Sequence, residues 1–187
     1  MQRKAVFLMI DGLGSLPAKG RKTELELAKT PNLDALARNG VCGLMHPIGV
    51  GIIPGSDTSQ LNILGYPPEK FYPGRGPLEA LGAGMHLEEG NVAFRANFAT
   101  VDDRFVVVDR RAGRIATQDA SGLAKSIASI SIDGFEFAFK STVEHRGVVV
   151  VRGKGTTGDV GDTDPHATGV PVRQPNITAQ NAALVRA

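Results

Sequence analysis

Residues 5–10 (AVFLMI) form a continuous apolar run that stops at Asp11-Gly12-Leu13-Gly14. A short run of this kind predicts a strand buried on both faces of a parallel sheet, with Asp11 at its C-terminal edge. Thr30-Pro31 then opens a helix: threonine suits the N-cap, proline the first helical position, Leu33, Leu36 and Ala37 repeat at helical spacing, and Gly40 ends it. Strand, loop and helix in that order point to an α/β fold. Residues 41–53 are short and glycine-punctuated. They lead through Pro54-Gly55-Ser56-Asp57 into a helix over 58–64 closed by Gly65, so that Ser56 sits at or just before a helix N-terminus. Residues 77–81 predict another short helix.

The texture changes near residue 90. Over 92–100, Val92, Phe94, Ala96 and Phe98 fall on one face with Arg95 and Asn97 on the other, the period of a half-buried strand. Residues 105–109, 135–139 and 148–151 predict further strands. Residues 119–130 predict a helix with Ala120, Leu123, Ala124 and Ile127 on one side. The stretch 153–176, rich in glycine, proline, Asp and Thr, predicts a long polar loop. The pattern thus changes near residue 90 from an α/β part to an α+β part.

Composition narrows the function. The chain has 187 residues, and its 21 Lys+Arg against 19 Asp+Glu leave a net charge of +2, too small for an electrostatic case for nucleic-acid binding. No segment has the length of a membrane span, and the run after the basic MQRK start is too short for a signal peptide, so a cytoplasmic location is expected. The single cysteine, Cys42, excludes an intrachain disulfide framework and suggests a small buried thiol. Asn176-Ile177-Thr178 matches the glycosylation pattern but has no export signal to accompany it.

Asp11, at a sheet edge, either caps the next turn or offers an oxygen to a divalent cation. Ser56 either serves as an N-cap or presents a hydroxyl where free N–H groups and the helix dipole favour phosphate. The pair says more than either member, because a metal-bound carboxylate could place a metal beside Ser56 and turn its hydroxyl into a nucleophile. Gly153-x-Gly155-x-x-Gly158 fits the dinucleotide fingerprint, yet no helix pattern follows it and a loop is expected. His46 and His86 have no partner at ligand spacing and are read as structural.

Longer motifs carry a resemblance. MIDGLGSLP at 9–17, KTPNLDALARNGVCGLMHPIGVGIIPGSDTSQLNILGYPP at 29–68, YPGRGPLEALGAG at 72–84, FRANFATVD at 94–102, DRRAGRI at 109–115 and DTDPHATGVPV at 162–172 resemble the cofactor-independent phosphoglycerate mutases of the archaeal type, members of the alkaline phosphatase superfamily. The resemblance implies a partial alkaline-phosphatase-like parallel-sheet core over 1–88 and part of an inserted α+β substrate domain over 89–187. It implies a glycolytic, metal-dependent isomerase that interconverts 3-phosphoglycerate and 2-phosphoglycerate through a phosphoserine intermediate, without 2,3-bisphosphoglycerate. Ser56 falls on the nucleophile and, with Asp11, on the first ligands of a divalent metal: manganese, magnesium or zinc.

Gln60 stands where the family's Ser-Asp-Thr-x-His run has histidine. Members are considerably longer, and their C-terminal half supplies the remaining Asp and His ligands; this chain is expected to be a truncated form, inactive alone or completed by a missing C-terminal half or a homo-oligomer. For the substrate's carboxylate and phosphate, the candidates are Arg75, Arg95, Arg110, Arg111, Arg114, Arg146 and Arg152, because guanidinium groups pair bidentately with such anions. Arg110, Arg114, His145 and Arg146 lie in the segments that match best. Asp162, Asp164 and His166 either orient the glycerate hydroxyls or a catalytic proton, or form a polar turn. Two other readings stand beside the mutase: a mutase-like homoserine kinase, which a stabilising nucleotide would reveal although no GxxxxGK[ST] loop is present, and a non-catalytic half of a complemented assembly, which metal content would reveal.

Overall fold

The computed structural model describes residues 3–178 and 180–186; Met1 and Gln2 of the MQRK start lie outside them. The chain falls into two compact units, Met1–Phe71 and Tyr72–Ala187.

The first unit carries four helices, α1 (Glu24–Leu27), α2 (Pro31–Asn39), α3 (Ser56–Ile63) and α4 (Pro68–Phe71). A capping box starts α1: the Thr23 hydroxyl accepts the Glu26 N–H, and the Glu26 carboxylate accepts the Thr23 N–H. Proline opens α2 and Gly40 follows its last residue, as the sequence predicts, although the Thr30 hydroxyl donates to Asp34 at 3.0 Å instead of capping the helix. α3 and α4 form a helical hairpin across Gly65, with Tyr66 edge-on to Phe71 at 5.5 Å. The strand predicted at 5–10 is absent. The segment has no regular structure, its large side chains are exposed, and Asp11 lies in a turn with Gly12 at φ 72°. A parallel strand is held by the ladders of its neighbours, and the first unit has no other strand among the described residues to supply one. The parallel-sheet core expected over 1–88 is therefore not formed here. Cys42 is exposed rather than buried, its Sγ 3.6 Å from the Ala37 carbonyl.

The second unit is built on antiparallel pairing. α5 (Arg75–Gly82) leads into β1 (Val92–Asn97), followed by β2 (Thr100–Val101), β3 (Val107–Asp109), α6 (Thr117–Lys125), β4 (Ser129–Ile132), β5 (Phe135–Ser141), β6 (Arg146–Arg152) and α7 (Ala182–Arg186). The main sheet has the order β1-β6-β5-β4, all pairs antiparallel; β2 and β3 form a second ribbon. α5 packs against β1 and β6, so the stretch 72–88, which the sequence pattern groups with the first part, folds with the second. The sequence pattern extends a helix to residue 130, but the SISI alternation of β4 pairs instead with Phe135–Ala138.

The register sorts the side chains into two layers. Ala93 opposite Val150, with Val148 beside them, faces Ala80 of α5, and Ala83, Met85 and Leu87 close over this cluster. On the other face Phe94 opposes Val149 and Phe137 opposes Val151, and these pack with Phe135, Val160 and Leu184 of α7. Gly147 has no side chain because the Phe139 ring lies over it, 2.5 Å from where a Cβ would stand, and that ring meets Phe98 edge-on. Fully buried Asn181 anchors α7, donating to the Asp159 and Asn176 carbonyls and accepting the Thr178 N–H.

Candidate active site

The site in the second unit begins with backbone pairing. Leading into β3, residues 105–107 bond to residues 169–172: Val107 N–H to the Val170 carbonyl, Val172 N–H to the Phe105 carbonyl, and Gly169 N–H to the Val107 carbonyl. This pairing draws the long polar loop of 153–176 against the start of β3 and brings together residues 54 apart in the chain. Arg110 Nε donates to Asp164 Oδ1 at 2.9 Å and Arg110 Nη2 to Asp164 Oδ2 at 2.7 Å, a bidentate pair. Arg110 Nη2 also lies 2.8 Å from His166 Nδ1, and His166 Nε2 lies 2.6 Å from Asp162 Oδ2. Two turns complete the loop: Asp164 N–H donates to Asp162 Oδ1, and His166 N–H to Asp164 Oδ1. Hydrogen bonds thus gather Asp162, Asp164 and His166 around one arginine.

The next three residues after Arg111 have an unusual backbone. Ala112, Gly113 and Arg114 all have positive φ, at 47°, 64° and 56°, so the chain makes a left-handed turn. The Asp109 carboxylate holds it, accepting the Arg111 N–H at 2.7 Å and the Gly113 N–H at 3.0 Å. These two bonds pull the Asp109 carboxyl below the ordinary range. Glu144 and His166 are left-handed too. Each such non-glycine residue costs on the order of 1 kcal/mol, and Arg114, Glu144 and His166 all border one open cavity of about 1040 Å³.

That cavity has an apolar floor, Phe94, Phe137, Val149, Val151 and Leu184, and a rim that includes the charged Arg110, Arg111, Arg114 and Arg146, with His145 among them. Arg111, Arg114 and Arg146 make no side-chain hydrogen bond or ion pair among the described residues, leaving three guanidinium groups uncommitted beside the bonded Arg110. His145 is 5% exposed, and its Nδ1 is buried without a hydrogen-bond partner. Burial first and the Arg146 charge second push the ring below the ordinary histidine range, against the pull of Glu144, so the imidazole is neutral near pH 7. The arrangement suits a small ligand with more than one anionic group. Arg75 is hydrogen-bonded to Glu79 and Arg152 to Glu136, whereas Arg95, which also lines the cavity, lies 3.5 Å from Glu79 with its buried Nε making no hydrogen bond.

The Arg110 hydrogen bonds hold the Asp164 carboxyl down at about 2, against burial. A depressed carboxyl stabilises the fold above its ordinary range, roughly pH 4, and that contribution is lost as pH falls towards 2. In an NMR titration the Asp164 carboxyl is expected to titrate near 2 in this chain and at a higher pH in Arg110→Ala, where only the His166 N–H and ring still lower it; an unchanged midpoint in the variant would show that Arg110 is not the cause.

In the first unit, Gly55 is the N-cap of α3 and Ser56 its first residue. The Thr58 hydroxyl donates to the Gly55 carbonyl and the Asp57 carboxylate accepts the Thr58 N–H, so the helix start is served without Ser56. Ser56 is exposed and its hydroxyl makes no hydrogen bond among the described residues. Asp11 is exposed as well. The described residues hold no group of three or more His, Cys, Asp or Glu able to bind a metal, and the donors present do not make up the metal site that the resemblance implies. His46 and His86 are exposed, and the His86 ring lies 3.4 Å from Glu88. No helix among the described residues is long and apolar enough to cross a membrane.

The residues that the sequence left unassigned are the floor of the cavity and the left-handed turn. The floor was visible as alternation at 92–98 and in the apolar runs of β5 and β6; the turn had only Gly113 to signal it. Comparison with known proteins draws these features together. The sequence profile of 2,3-bisphosphoglycerate-independent phosphoglycerate mutase matches residues 37–187. A mutase of that name from Methanocaldococcus jannaschii is 53% identical over 91% of this chain and 42% of its own length, and one from Methanopyrus kandleri is 46% identical over 100% of this chain and 46% of its own. The structure of the cofactor-independent phosphoglycerate mutase of Thermoplasma acidophilum superposes with a TM-score of 0.59 at 43% identity, covering 94% of this chain and 47% of that one. This chain thus spans less than half the length of the relatives it matches. With Ser56, the cavity arginines and the paired loops all inside the matched residues, the chain belongs to the 2,3-bisphosphoglycerate-independent phosphoglycerate mutase family.

Proposed function

We propose that this chain is the N-terminal portion of an enzyme that interconverts 3-phosphoglycerate and 2-phosphoglycerate, with Ser56 as the nucleophile and the arginine-lined cavity as the binding site of the substrate. The observation that carries the proposal is the set of uncommitted guanidinium groups, Arg111, Arg114 and Arg146, around one cavity. Phosphoglycerate presents a phosphate and a carboxylate, and two anionic groups need several cations at fixed spacing. Neutral His145 and the Asp162, Asp164 and His166 turn complete the rim. In the proposed reaction Ser56 Oγ bonds to phosphorus, the ester bond to the glycerate 3-oxygen breaks, and the serine proton passes to the departing glycerate. The phosphoserine then gives its phosphoryl group to the 2-oxygen of the same glycerate, and Ser56 recovers a proton.

In this reading residues 1–71 contribute to an alkaline-phosphatase-like core, and the substrate domain expected over 89–187 takes in 72–88 as well, because α5 packs on β1 and β6. The run 5–10 becomes a strand only when partner strands from the rest of the relatives' length lie beside it. Asp11 and Ser56 would be ligands of a divalent metal whose remaining ligands lie in that same portion, and the enzyme would act in the cytoplasm.

Binding can be tested on the chain as it stands. 3-Phosphoglycerate, followed by calorimetry, is expected to bind, and Arg114→Gln to weaken it by about tenfold or more, the scale of a lost charge-assisted hydrogen bond. Arg75→Gln, whose guanidinium is paired with Glu79 outside the cavity, should bind normally. No binding by the unaltered chain, or equal loss in both variants, would remove the cavity from the proposal.

A further inference from the structure

Counting donors around Arg110 separates the roles within its cluster. A guanidinium has five N–H groups and accepts no hydrogen bond. Nε–H is taken by Asp164 Oδ1, and the two Nη2 hydrogens are taken by Asp164 Oδ2 and His166 Nδ1. Only the two hydrogens of Nη1 remain. Since Arg110 can only donate, His166 Nδ1 must be the acceptor and carries no proton. The other ring nitrogen, Nε2, lies 2.6 Å from the Asp162 carboxylate and donates to it. The ring is therefore the neutral Nε2–H tautomer with both nitrogens committed, and the backbone N–H of the same residue is committed to Asp164 Oδ1.

Resting on the reading of the cavity as an anion site, we propose that His166 is not a ligand of the substrate but a positioning residue: it locks the Arg110 guanidinium in one plane, so that the Nη1 edge alone is offered to an anion in the cavity. Asp162 fixes the tautomer that makes the lock possible, and Asp164 supplies the bidentate pair on the opposite edge. The charged groups that face the ring are Asp162, Asp164 and Arg110. A second proton on Nδ1 would set a donor against a donor and release the Arg110 Nη2 contact.

The test uses two variants that both tolerate the left-handed backbone at this position, where φ is 59°. His166→Asn keeps an oxygen in the place of Nδ1, whereas His166→Gly removes the acceptor altogether. Three readings on the 187-residue chain are needed, and the first two require no ligand. By nitrogen NMR, His166 Nδ1 is expected to be unprotonated and Nε2 protonated; the reverse tautomer, or a doubly protonated ring at neutral pH, overturns the proposal. The Arg110 Nε–H should exchange with solvent about tenfold faster in His166→Gly and at nearly the original rate in His166→Asn; equal rates in all three chains also overturn it. Finally, 3-phosphoglycerate affinity should fall in His166→Gly and recover in His166→Asn. Should no chain bind 3-phosphoglycerate while the tautomer and exchange results hold, the lock stands and the substrate reading fails. Should both variants bind as weakly as each other with Arg110 still protected, His166 is itself a substrate ligand and the positioning role fails.

Discussion

Ser56→Ala is expected to abolish phosphoryl transfer, with a loss of at least about 10³-fold in the conversion of 3-phosphoglycerate, the least that deletion of a covalent nucleophile costs. The measurement calls for the chain continued by the C-terminal remainder of its Methanocaldococcus jannaschii relative, since this chain spans 42% of that protein. Stability should hardly change, by less than about 0.5 kcal/mol, as for an exposed position whose side chain has no partner. The reason is local: Gly55 is the cap of α3, Thr58 and Asp57 occupy the groups around it, and the Ser56 hydroxyl serves neither. A hydroxyl free of structural duty, on the first residue of a helix whose N–H groups point outward, is placed where a phosphoryl oxygen gains from the helix dipole. Labelling with phosphate-labelled substrate should mark Ser56 in the parent and nothing at that position in the variant. Turnover at the parent rate in Ser56→Ala would remove this serine from the chemistry.

Gly76→Ala should be the most damaging single-methyl change in the second unit. An alanine Cβ there would stand 1.9 Å from the Ala93 carbonyl oxygen, 2.5 Å from its carbon and 2.9 Å from Phe94 Cα. All three atoms belong to the backbone of β1, which is held to β6 through the full register from Val92–Val151 to Asn97–Arg146 and cannot yield locally. Either α5 lifts off the Ala80–Ala93–Val148–Val150 cluster or the strand distorts, and a cost of at least about 3 kcal/mol is expected. Gly82 closes the same helix with nothing within 4 Å of its would-be Cβ and no positive φ. Gly82→Ala should be neutral or stabilise by about 0.5 kcal/mol, through the entropy of the unfolded chain. Urea unfolding midpoints of the two variants should therefore move in opposite directions or one not at all; a Gly76→Ala chain as stable as the parent would mean that α5 does not rest on β1 as described.

Local signals were legible in the sequence and distant ones were not. The start and end of α2 could be read from Thr30-Pro31 and Gly40, because caps depend on a few adjacent residues. β1, β5 and β6 followed from alternation and apolar runs. β4 was missed because four residues of SISI after Ala124 and Ile127 fit a helical period as well as an alternating one, and only pairing with β5 decides between them. The strand at 5–10 failed for the opposite reason: its pattern is that of a strand with neighbours on both sides, and the residues that fold here do not include them. Arg110 and Asp164 are both candidates from the sequence, yet their pairing depends on the 105–107 and 169–172 backbone bonds, which no pattern in either segment announces. The left-handed turn at 112–114 was hidden because alanine and arginine are not residues that announce a positive φ.

Among the described residues, the buried apolar side chains, from Ala80 to Leu184, all lie in the second unit. Cooperative melting is a property of such a core, so a calorimetric transition should report on residues 72–187, with an enthalpy sized to that unit and not to the whole chain. Amide hydrogens of β6, between two ladders, should be the last to exchange with deuterium, while those of residues 5–10 exchange at the rate of open chain whatever the stability of the sheet. A ligand that protects the first unit from exchange would then be recognised at once, because nothing in the sheet's own unfolding could mimic it.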